Sequence, residues 1–177
     1  MSKNRIIIIT GPKHSGKTSA GGALAEILKI RFQDLDKITE TQTGKTPREL
    51  FRENPEIFKK AEKEALLLAL SSGEYDILAT GGGIIDNQNA MELITKNPEI
   101  ILVYLEISAE TAWKRILNVS GENELPAFLD KDNPKESHSE IHARRAMRYR
   151  AAAHLVIDAE GKEPLRIAME IITELGL

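Results

Sequence analysis

A run of β-branched residues that leads directly into a glycine-bounded turn most constrains how this chain can fold. Residues 5–10 read RIIIIT and are followed by Gly11 and Pro12. A continuous apolar run of this length is typical of a strand buried on both faces, as in parallel sheets covered by helices on both sides. The run therefore predicts a central strand of an α/β fold.

Strands and helices alternate through the rest of the chain. The hydrophobic spacing predicts helices over residues 17–29, 55–72, 87–96, 108–118, 138–153 and 164–175. It predicts further short strands over residues 30–32, 76–80, 100–105 and 155–158. Because apolar strands that alternate with helices form a parallel sheet between two helical layers, we expect a three-layer α/β sandwich with a central sheet of about five strands.

The stretch between residues 119 and 138 has no hydrophobic period. It contains Gly121, Pro126 and Pro134 together with several acidic residues. Long loops in compact domains are usually functional. We therefore interpret residues 119–138 as a loop or mobile flap, called the lid segment below.

Composition excludes several classes of protein. The length of 177 residues suits a single domain, and the absence of cysteine excludes disulfides, thiolate metal sites and a cysteine nucleophile. A formal net charge of −3 argues against a protein that wraps nucleic acid. The apolar runs are far shorter than the roughly 18 residues that cross a bilayer, and the first residues do not form a signal peptide. We expect a cytoplasmic protein, a monomer in the simplest case, that binds neither nucleic acid nor membrane.

A phosphate-binding loop follows the first predicted strand and opens the first predicted helix. Residues 11–18, GPKHSGKT, match G-x-x-x-x-G-K-[ST] in full. In such a loop backbone N–H groups bind phosphate oxygens, the lysine (Lys17) reaches the β- and γ-phosphates, and the hydroxyl (Thr18) binds Mg²⁺. The other expected nucleotide-binding positions are Gly11, Lys13, His14, Ser15, Gly16 and Ser19. The motif predicts a nucleoside triphosphate and Mg²⁺ as ligands. We interpret the His14 ring as a solvated turn residue without a catalytic role.

Two more clusters follow predicted strands. Asp34 and Asp36 come after the second strand, and three consecutive glycines, residues 81–83, come after the third. In open parallel sheets, ligands bind beyond the carboxyl ends of the strands. These clusters are therefore expected beside the phosphate-binding loop.

Together these segments resemble the shikimate kinase family, and the resemblance covers nearly the whole chain in unbroken order. The segments that carry it are 34–36 (DLD), 43–46 (TGKT), Phe51, 58–62 (FKKAE), 81–83 (GGG), 104–106 (YLE) and Arg145 four residues before Tyr149. The resemblance implies a nucleoside-monophosphate-kinase-like fold with a substrate-binding segment over about residues 34–62 and a closing lid. It also implies transfer of the ATP γ-phosphate to the 3-hydroxyl of shikimate.

The resemblance further implies roles for individual residues. Asp36 would orient the acceptor hydroxyl, and Asp34 would hold Mg²⁺ through water beside Thr18, so that Lys17, Asp34 and Asp36 form the catalytic set. Arg145 would bind the shikimate carboxylate. The backbone of Gly82 would meet the substrate, with Gly81 and Gly83 beside it. The positions implied for the adenine ring are Arg115, Lys162 and Pro164.

Two positions differ from the family pattern. Lys59 stands where the family has an arginine that clamps the substrate carboxylate, and a lysine offers a point charge instead of a planar fork. Leu125 stands where the lid normally carries an arginine for the transferring phosphoryl group, with Lys131 and Lys135 as candidate replacements. Two alternatives stay open: a kinase for another small polyol or acid such as gluconate, and a nucleotide-binding module that has lost transfer activity.

Overall fold

Five parallel strands form one sheet in the computed structural model, which describes residues 5–120, 125–129 and 132–177. The order across the sheet is β2-β3-β1-β4-β5, so β1 lies at the centre, paired with β3 and β4. The strands are β1 (Ile6–Thr10), β2 (Phe32–Asp34), β3 (Ile77–Ala79), β4 (Ile100–Glu106) and β5 (Leu155–Asp158). This architecture confirms the predicted parallel sheet and its central first strand.

Helices cover both faces of the sheet. They are α1 (Lys17–Leu28), α2 (Leu35–Thr43), α3 (Pro47–Glu53), α4 (Pro55–Ser72), α5 (Gln88–Thr95), α6 (Ala109–Ser120), α7 (Pro134–Ala152) and α8 (Pro164–Leu175). A short 3-10 turn over Ile84–Asp86 precedes α5. In the part of the chain that the structure describes, no helix is long and apolar enough to cross a membrane.

Alternate residues of β1 point into two separate hydrophobic cores. Ile8 packs with side chains of α2, α4, α5 and α7 on one face. Ile7 and Ile9 pack with side chains of α1, α6 and α8 on the other. All three isoleucines are fully buried, as a strand covered on both faces requires. The predicted three-layer sandwich is therefore confirmed.

Several predicted boundaries match the structure, and one strand is displaced. Helix α4, strand β5 and helix α8 begin and end as predicted, and the Ser108 hydroxyl caps α6 by accepting from the Thr111 N–H at 3.1 Å. The second strand spans Phe32–Asp34 instead of residues 30–32. The reason is local, because Lys29 ends α1 in a left-handed conformation and the N–H of Ile30 still donates to Ala25.

The region between β2 and α4 is more helical than the sequence analysis predicted. Asp34 caps α2 by accepting from the N–H of Asp36, and Thr46 and Glu49 form a reciprocal capping box at the start of α3. Polar caps and short length leave these helices with little hydrophobic period to detect. Helix α7 also begins at Pro134, earlier than predicted, because a proline fits the first turn of a helix. The final residues of the predicted lid segment are therefore helical.

Candidate active site

A cavity of about 860 Å³ opens at the carboxyl edge of the sheet. Its walls are the phosphate-binding loop, the start of α2, helices α3 and α4, the glycine triplet, helix α7 and residues 126–128 of the lid segment. The structure thus brings the three predicted clusters together around one space. Of the predicted positions, the following line it: Lys13, His14, Lys17, Thr18, Asp34, Asp36, Lys59, Gly81, Gly82, Gly83 and Arg145.

The phosphate-binding loop folds tightly around Lys17. Gly11 and Gly16 have positive φ angles of 150° and 95°, and a Cβ on Gly11 would lie 2.5 Å from the Leu105 carbonyl oxygen. The buried Lys17 ammonium donates to the carbonyl oxygen of Pro12 at 2.8 Å. Burial lowers the pKa of Lys17 to about 8, against the raising effect of Asp36 and Asp34. A phosphate anion in the loop would favour the charged form of this lysine.

The remaining loop positions differ in exposure. Ser15 is buried, whereas Ser19 is exposed on the first turn of α1. His14 is half-buried and its carbonyl oxygen accepts from Arg115 Nη1 at 2.9 Å. Burial lowers the pKa of His14 to about 4, helped by the positive charge of Lys13. The ring is thus half-buried instead of fully solvated, and the lowered pKa leaves it uncharged at neutral pH.

Asp34 connects the phosphate-binding loop to helix α2. Its Oδ2 accepts from the Thr18 hydroxyl at 2.6 Å, and its Oδ1 accepts from the N–H of Asp36 at 3.0 Å. Hydroxyl and carboxylate oxygens are donors that Mg²⁺ takes, together with water and substrate phosphate. The described residues contain no group of three or more side chains that could hold a metal by themselves. The pair therefore fits a cation whose remaining ligands come from water and nucleotide.

Asp36 and Glu62 flank Gly81. A Cβ on Gly81 would lie 3.1 Å from Asp36 Oδ1 and 3.2 Å from Glu62 Oε1. Burial raises the pKa of Asp36 to about 6, and the negative charge of Asp34 raises it further. Burial likewise raises the pKa of Glu62 to about 7, although Asn87 Nδ2 donates to its Oε2 at 2.9 Å. The two carboxyl groups thus hold a proton more readily than ordinary acidic side chains do.

Glu62 is a site residue that sequence reasoning missed. Its side chain is 1% exposed and it lies between Ala61 and the buried positions Ala65 and Leu66 of α4. An acid inside the apolar stripe of a helix was the available signal, because such a residue is rarely buried without a partner or a function.

Gly82 allows the loop after β3 to approach the phosphate-binding loop. A Cβ at this position would lie 2.8 Å from the backbone nitrogen of Lys13, closer than real contacts allow. The carbonyl oxygen of Gly82 accepts from Tyr149 and, at 3.4 Å, from Arg145 Nη1. The missing side chain of Gly82 thus permits close packing on the phosphate-binding loop.

Arg145 belongs to a cluster that is organised by Asp86. Its Nε donates to Asp86 Oδ2 at 2.7 Å, and Arg144 and Arg148 bind the same carboxylate. The Arg145 guanidinium also lies 4.9 Å from the ring centroid of Phe128 in the lid segment. Three arginines on one carboxylate leave excess positive charge at this wall of the cavity. Arg144, Arg148 and Asp86 were not identified as site residues from the sequence.

Lys59 and Arg48 come from the helices over the cavity. Lys59 Nζ forms an ion pair with Glu56 at 2.8 Å, one turn away on α4. Arg48 of α3 was not identified from the sequence. Its Nη2 donates to the carbonyl oxygen of Leu125, in the lid segment, at 3.4 Å.

The predicted adenine-binding residues lie outside the cavity described above. Arg115 reaches the phosphate-binding loop through the His14 carbonyl. Hydrogen bonds from Thr111 and Ser108 lower the pKa of Glu160, in the loop before α8, and the charge of Arg115 adds to this effect. Lys162 pairs with Glu170 at 2.7 Å, and Pro164 is the first residue of α8. Arg115 and the loop before α8 are thus neighbours beside the phosphate-binding loop, and their contact with adenine stays a prediction.

The two candidate cations of the lid segment can be compared with this geometry. Lys135 lies exposed in the first turn of α7, where its charge acts on Glu110 of α6, and it does not line the cavity. Lys131 lies outside the described residues. Lys135 therefore does not replace the missing lid arginine in the arrangement that the structure shows.

A central parallel sheet, a phosphate-binding loop after its first strand and an acid-lined cavity beside that loop define a P-loop kinase fold and site. Residues 13–176 match the family model for shikimate kinase. The chain is 33% identical over 177 residues to shikimate kinase from Coxiella burnetii, covering 99% of this chain and 96% of the relative. It is 30% identical over 170 residues to the Rhodococcus jostii enzyme, with 96% of each chain covered.

A solved structure gives the same result. Shikimate kinase from Acinetobacter baumannii in complex with shikimate superposes with a TM-score of 0.85 at 29% identity, covering 97% of this chain and 92% of that one. This chain belongs to the shikimate kinase family. The predicted family and fold class are confirmed.

Proposed function

We propose that this chain transfers the γ-phosphate of ATP to the 3-hydroxyl of shikimate. The observation that carries the proposal is the Asp36 carboxyl, which lies in the cavity beside the phosphate-binding loop with its pKa raised to about 6. A carboxylate with that pKa is ionised at neutral pH yet is a better proton acceptor than an ordinary aspartate. The family and the shikimate-bound relative support shikimate as the acceptor.

The donor side of the reaction is assigned to the phosphate-binding loop. Backbone N–H groups of residues 11–16 and the N-terminus of α1 would bind the phosphates, and Lys17 would leave the Pro12 carbonyl to reach the β- and γ-phosphates. Thr18 and Asp34 would hold Mg²⁺, which supplies positive charge to the phosphate oxygens when bound. Arg115, Lys162 and Pro164 would form the adenine slot.

The acceptor side is assigned to the opposite part of the cavity. Arg145 would bind the shikimate carboxylate, because Asp86 holds its guanidinium rigidly with Nε while leaving it at the cavity wall. Lys59 would add a second positive charge once it exchanges Glu56 for the substrate. Asp36 would accept a hydrogen bond from the reacting hydroxyl and orient its oxygen. The glycine triplet would pack against the hydroxylated ring of the acceptor.

The remaining features of the proposal concern the whole protein. We propose one P-loop kinase domain over residues 1–177, in which residues 34–62 bind substrate and the lid segment closes over it. We further propose that the enzyme works in the cytoplasm as a monomer, on a small-molecule substrate, without binding nucleic acid or membrane.

A coupled assay of ADP release tests the proposal. With ATP, Mg²⁺ and millimolar shikimate, we expect turnover that depends on shikimate and exceeds ATP hydrolysis without acceptor by orders of magnitude. Phosphorylation of gluconate but not shikimate would contradict the proposed acceptor while leaving a kinase. ATP binding without phosphorylation of any acceptor in a panel of polyols and hydroxy acids would contradict the kinase itself.

A further inference from the structure

Arg48 occupies an unusual place in the cavity. It is the second residue of α3, a helix whose start is fixed by the Thr46 and Glu49 capping box. Its guanidinium lines the cavity and is partly buried there. Nη2 reaches across to the backbone of Leu125 in the lid segment at 3.4 Å. A single arginine thus joins the wall of the acceptor cavity to the segment expected to close it.

The other arginines of the cavity lie together on helix α7. Within the described residues, four arginines line the space, and three of them, Arg144, Arg145 and Arg148, bind the Asp86 carboxylate. Their charge is therefore held at the α7 wall. Arg48 is the fourth and comes from α3, a different part of the chain.

Arg48 lines the cavity together with residues of the phosphate-binding loop. Desolvation lowers the pKa of Lys13, at the loop apex, and the positive charge of Arg48 lowers it further, against the raising effect of Asp36. Arg48 thus lines the same cavity as Lys13 and Lys17 of that loop and also contacts the lid backbone.

Phosphoryl transfer requires positive charge beside the phosphoryl group that is transferred. The acceptor oxygen forms a bond to the γ-phosphorus while the bond from that phosphorus to the β–γ bridging oxygen breaks, ADP leaves, and the hydroxyl proton passes to Asp36. Charge spreads over the equatorial phosphoryl oxygens meanwhile, and an arginine that neutralises it accelerates transfer by about 10³–10⁵-fold. The described part of the lid segment carries Leu125 and no arginine.

We propose that Arg48, which projects from α3, is a catalytic residue that binds the phosphoryl group during its transfer. It would supply from the cavity wall the positive charge that an arginine of the lid segment would otherwise supply. The inference rests on the proposed kinase activity. The ligand of Arg48 is the phosphoryl group in transfer, so Arg48 stabilises the transition state more than it strengthens binding of the acceptor.

Kinetics of three variants test this role. We expect Arg48→Ala to lower kcat by about 100-fold or more with less than about threefold change in KM for shikimate, and Arg48→Lys to recover part of the loss. Leu125→Arg should rescue Arg48→Ala in part, because the Arg48 guanidinium already lies 3.4 Å from the Leu125 carbonyl oxygen and a new guanidinium would start from the same neighbourhood. Arg52→Ala is the matched control, since Arg52 is exposed on the same helix and does not line the cavity. An unchanged kcat, or a loss confined to KM for shikimate, would overturn the proposal.

A binding measurement separates this inference from the proposed acceptor. ADP with aluminium fluoride and Mg²⁺ mimics the transferring phosphoryl group and needs no turnover. We expect aluminium fluoride to tighten ADP binding in the wild-type chain and this tightening to fall by about tenfold in Arg48→Ala, with affinity for ADP alone unchanged. Equal tightening in both proteins, or none in either, would overturn the role of Arg48, whatever acceptor the wild-type enzyme uses.

Discussion

At the scale of single residues, environment decides what each acid in the cavity can do. Asp34 and Asp36 are two positions apart, yet one binds a hydroxyl and caps a helix while the other is partly buried in the cavity with a raised pKa. The same residue type therefore serves two roles: Asp34 suits a metal ion, and Asp36 suits a proton acceptor.

Replacing Asp36 by asparagine tests this division. We expect Asp36→Asn to reduce kcat by at least about 100-fold, because the amide cannot accept the proton, while the affinity for ATP stays within about threefold. In the wild-type enzyme kcat should rise as pH increases through about 6, where Asp36 ionises. Steady-state rates from pH 5 to 8 and ATP titration measure both effects. Loss of ATP binding in Asp36→Asn would show that the residue supports the phosphate-binding loop instead.

Lys59 offers a second test at the scale of one side chain. Lys59→Arg should lower KM for shikimate several-fold, because a guanidinium binds a carboxylate with two parallel hydrogen bonds whereas Lys59 offers a point charge shared with Glu56. KM for ATP should not change. Lys60→Arg is the control, since Lys60 is exposed and only approaches Glu64, at 3.9 Å. An equal or higher KM for shikimate in Lys59→Arg would contradict the carboxylate role.

At the scale of elements, close approach between neighbours places the catalytic loops. Helix α1 carries the phosphate-binding loop and packs on β2, which carries Asp34, so their spacing sets the distance from Thr18 to Asp34. Gly21 of α1 makes that packing possible, because a Cβ there would lie 2.4 Å from the Phe32 ring. The next residue, Gly22, faces open space.

These adjacent glycines form a matched pair for a stability measurement. Gly22→Ala should stabilise the protein by about 0.5–1 kcal/mol, since alanine costs less entropy than glycine in a helix. Gly21→Ala should destabilise it by about 1–2 kcal/mol, because the Phe32 ring must shift. Urea unfolding of both variants gives the two free energies. Similar changes for the two substitutions would mean that α1 and β2 are not closely packed.

At the scale of the whole molecule, the charge is unevenly distributed. The chain has a formal net charge of −3, but among the described residues seven lysines and arginines line the cavity against four acids. The net charge of the whole chain argued against a protein that wraps nucleic acid, but the cavity itself is a basic site that suits anions. Two of those acids, the partly buried Asp36 and the fully buried Glu62, have raised pKa values, so each destabilises the fold when it ionises.

This burial predicts how the stability of the protein changes with pH. The folded state holds protons on Asp36 and Glu62 between about pH 4 and pH 7 that the unfolded state releases, so the free energy of unfolding should rise as pH falls through that window. Glu62→Gln should stabilise the protein at pH 8 by about 1–3 kcal/mol, and the gain should vanish near pH 4.5.

Urea unfolding at pH 8 and pH 5 measures the effect, and Glu64→Gln, an exposed position on the same helix, is the control. The same gain at both pH values in Glu62→Gln would show that burial of this carboxyl does not govern the pH dependence.

Much of the fold could be predicted from the sequence because its signals are local. The apolar run of β1, the consecutive loop motif and the helical spacing of α4 each lie within a short window, and periodicity reads such windows directly. Helices α2 and α3 were missed because they are held by caps and by packing on α4, which leave little period in the sequence.

The sequence by itself determined the parallel sheet, the phosphate-binding loop and the family, since all three depend on residues in order along the chain. Only the tertiary structure decided how Asp86 gathers its arginines, where Glu62 is buried and what Arg48 can reach. Arg145 contacts an acid 59 residues away, and Arg48 contacts a carbonyl 77 residues away. Contacts at such separations exist only after the sheet has brought distant loops to one edge, because a local pattern carries no information about which distant side chain will face it.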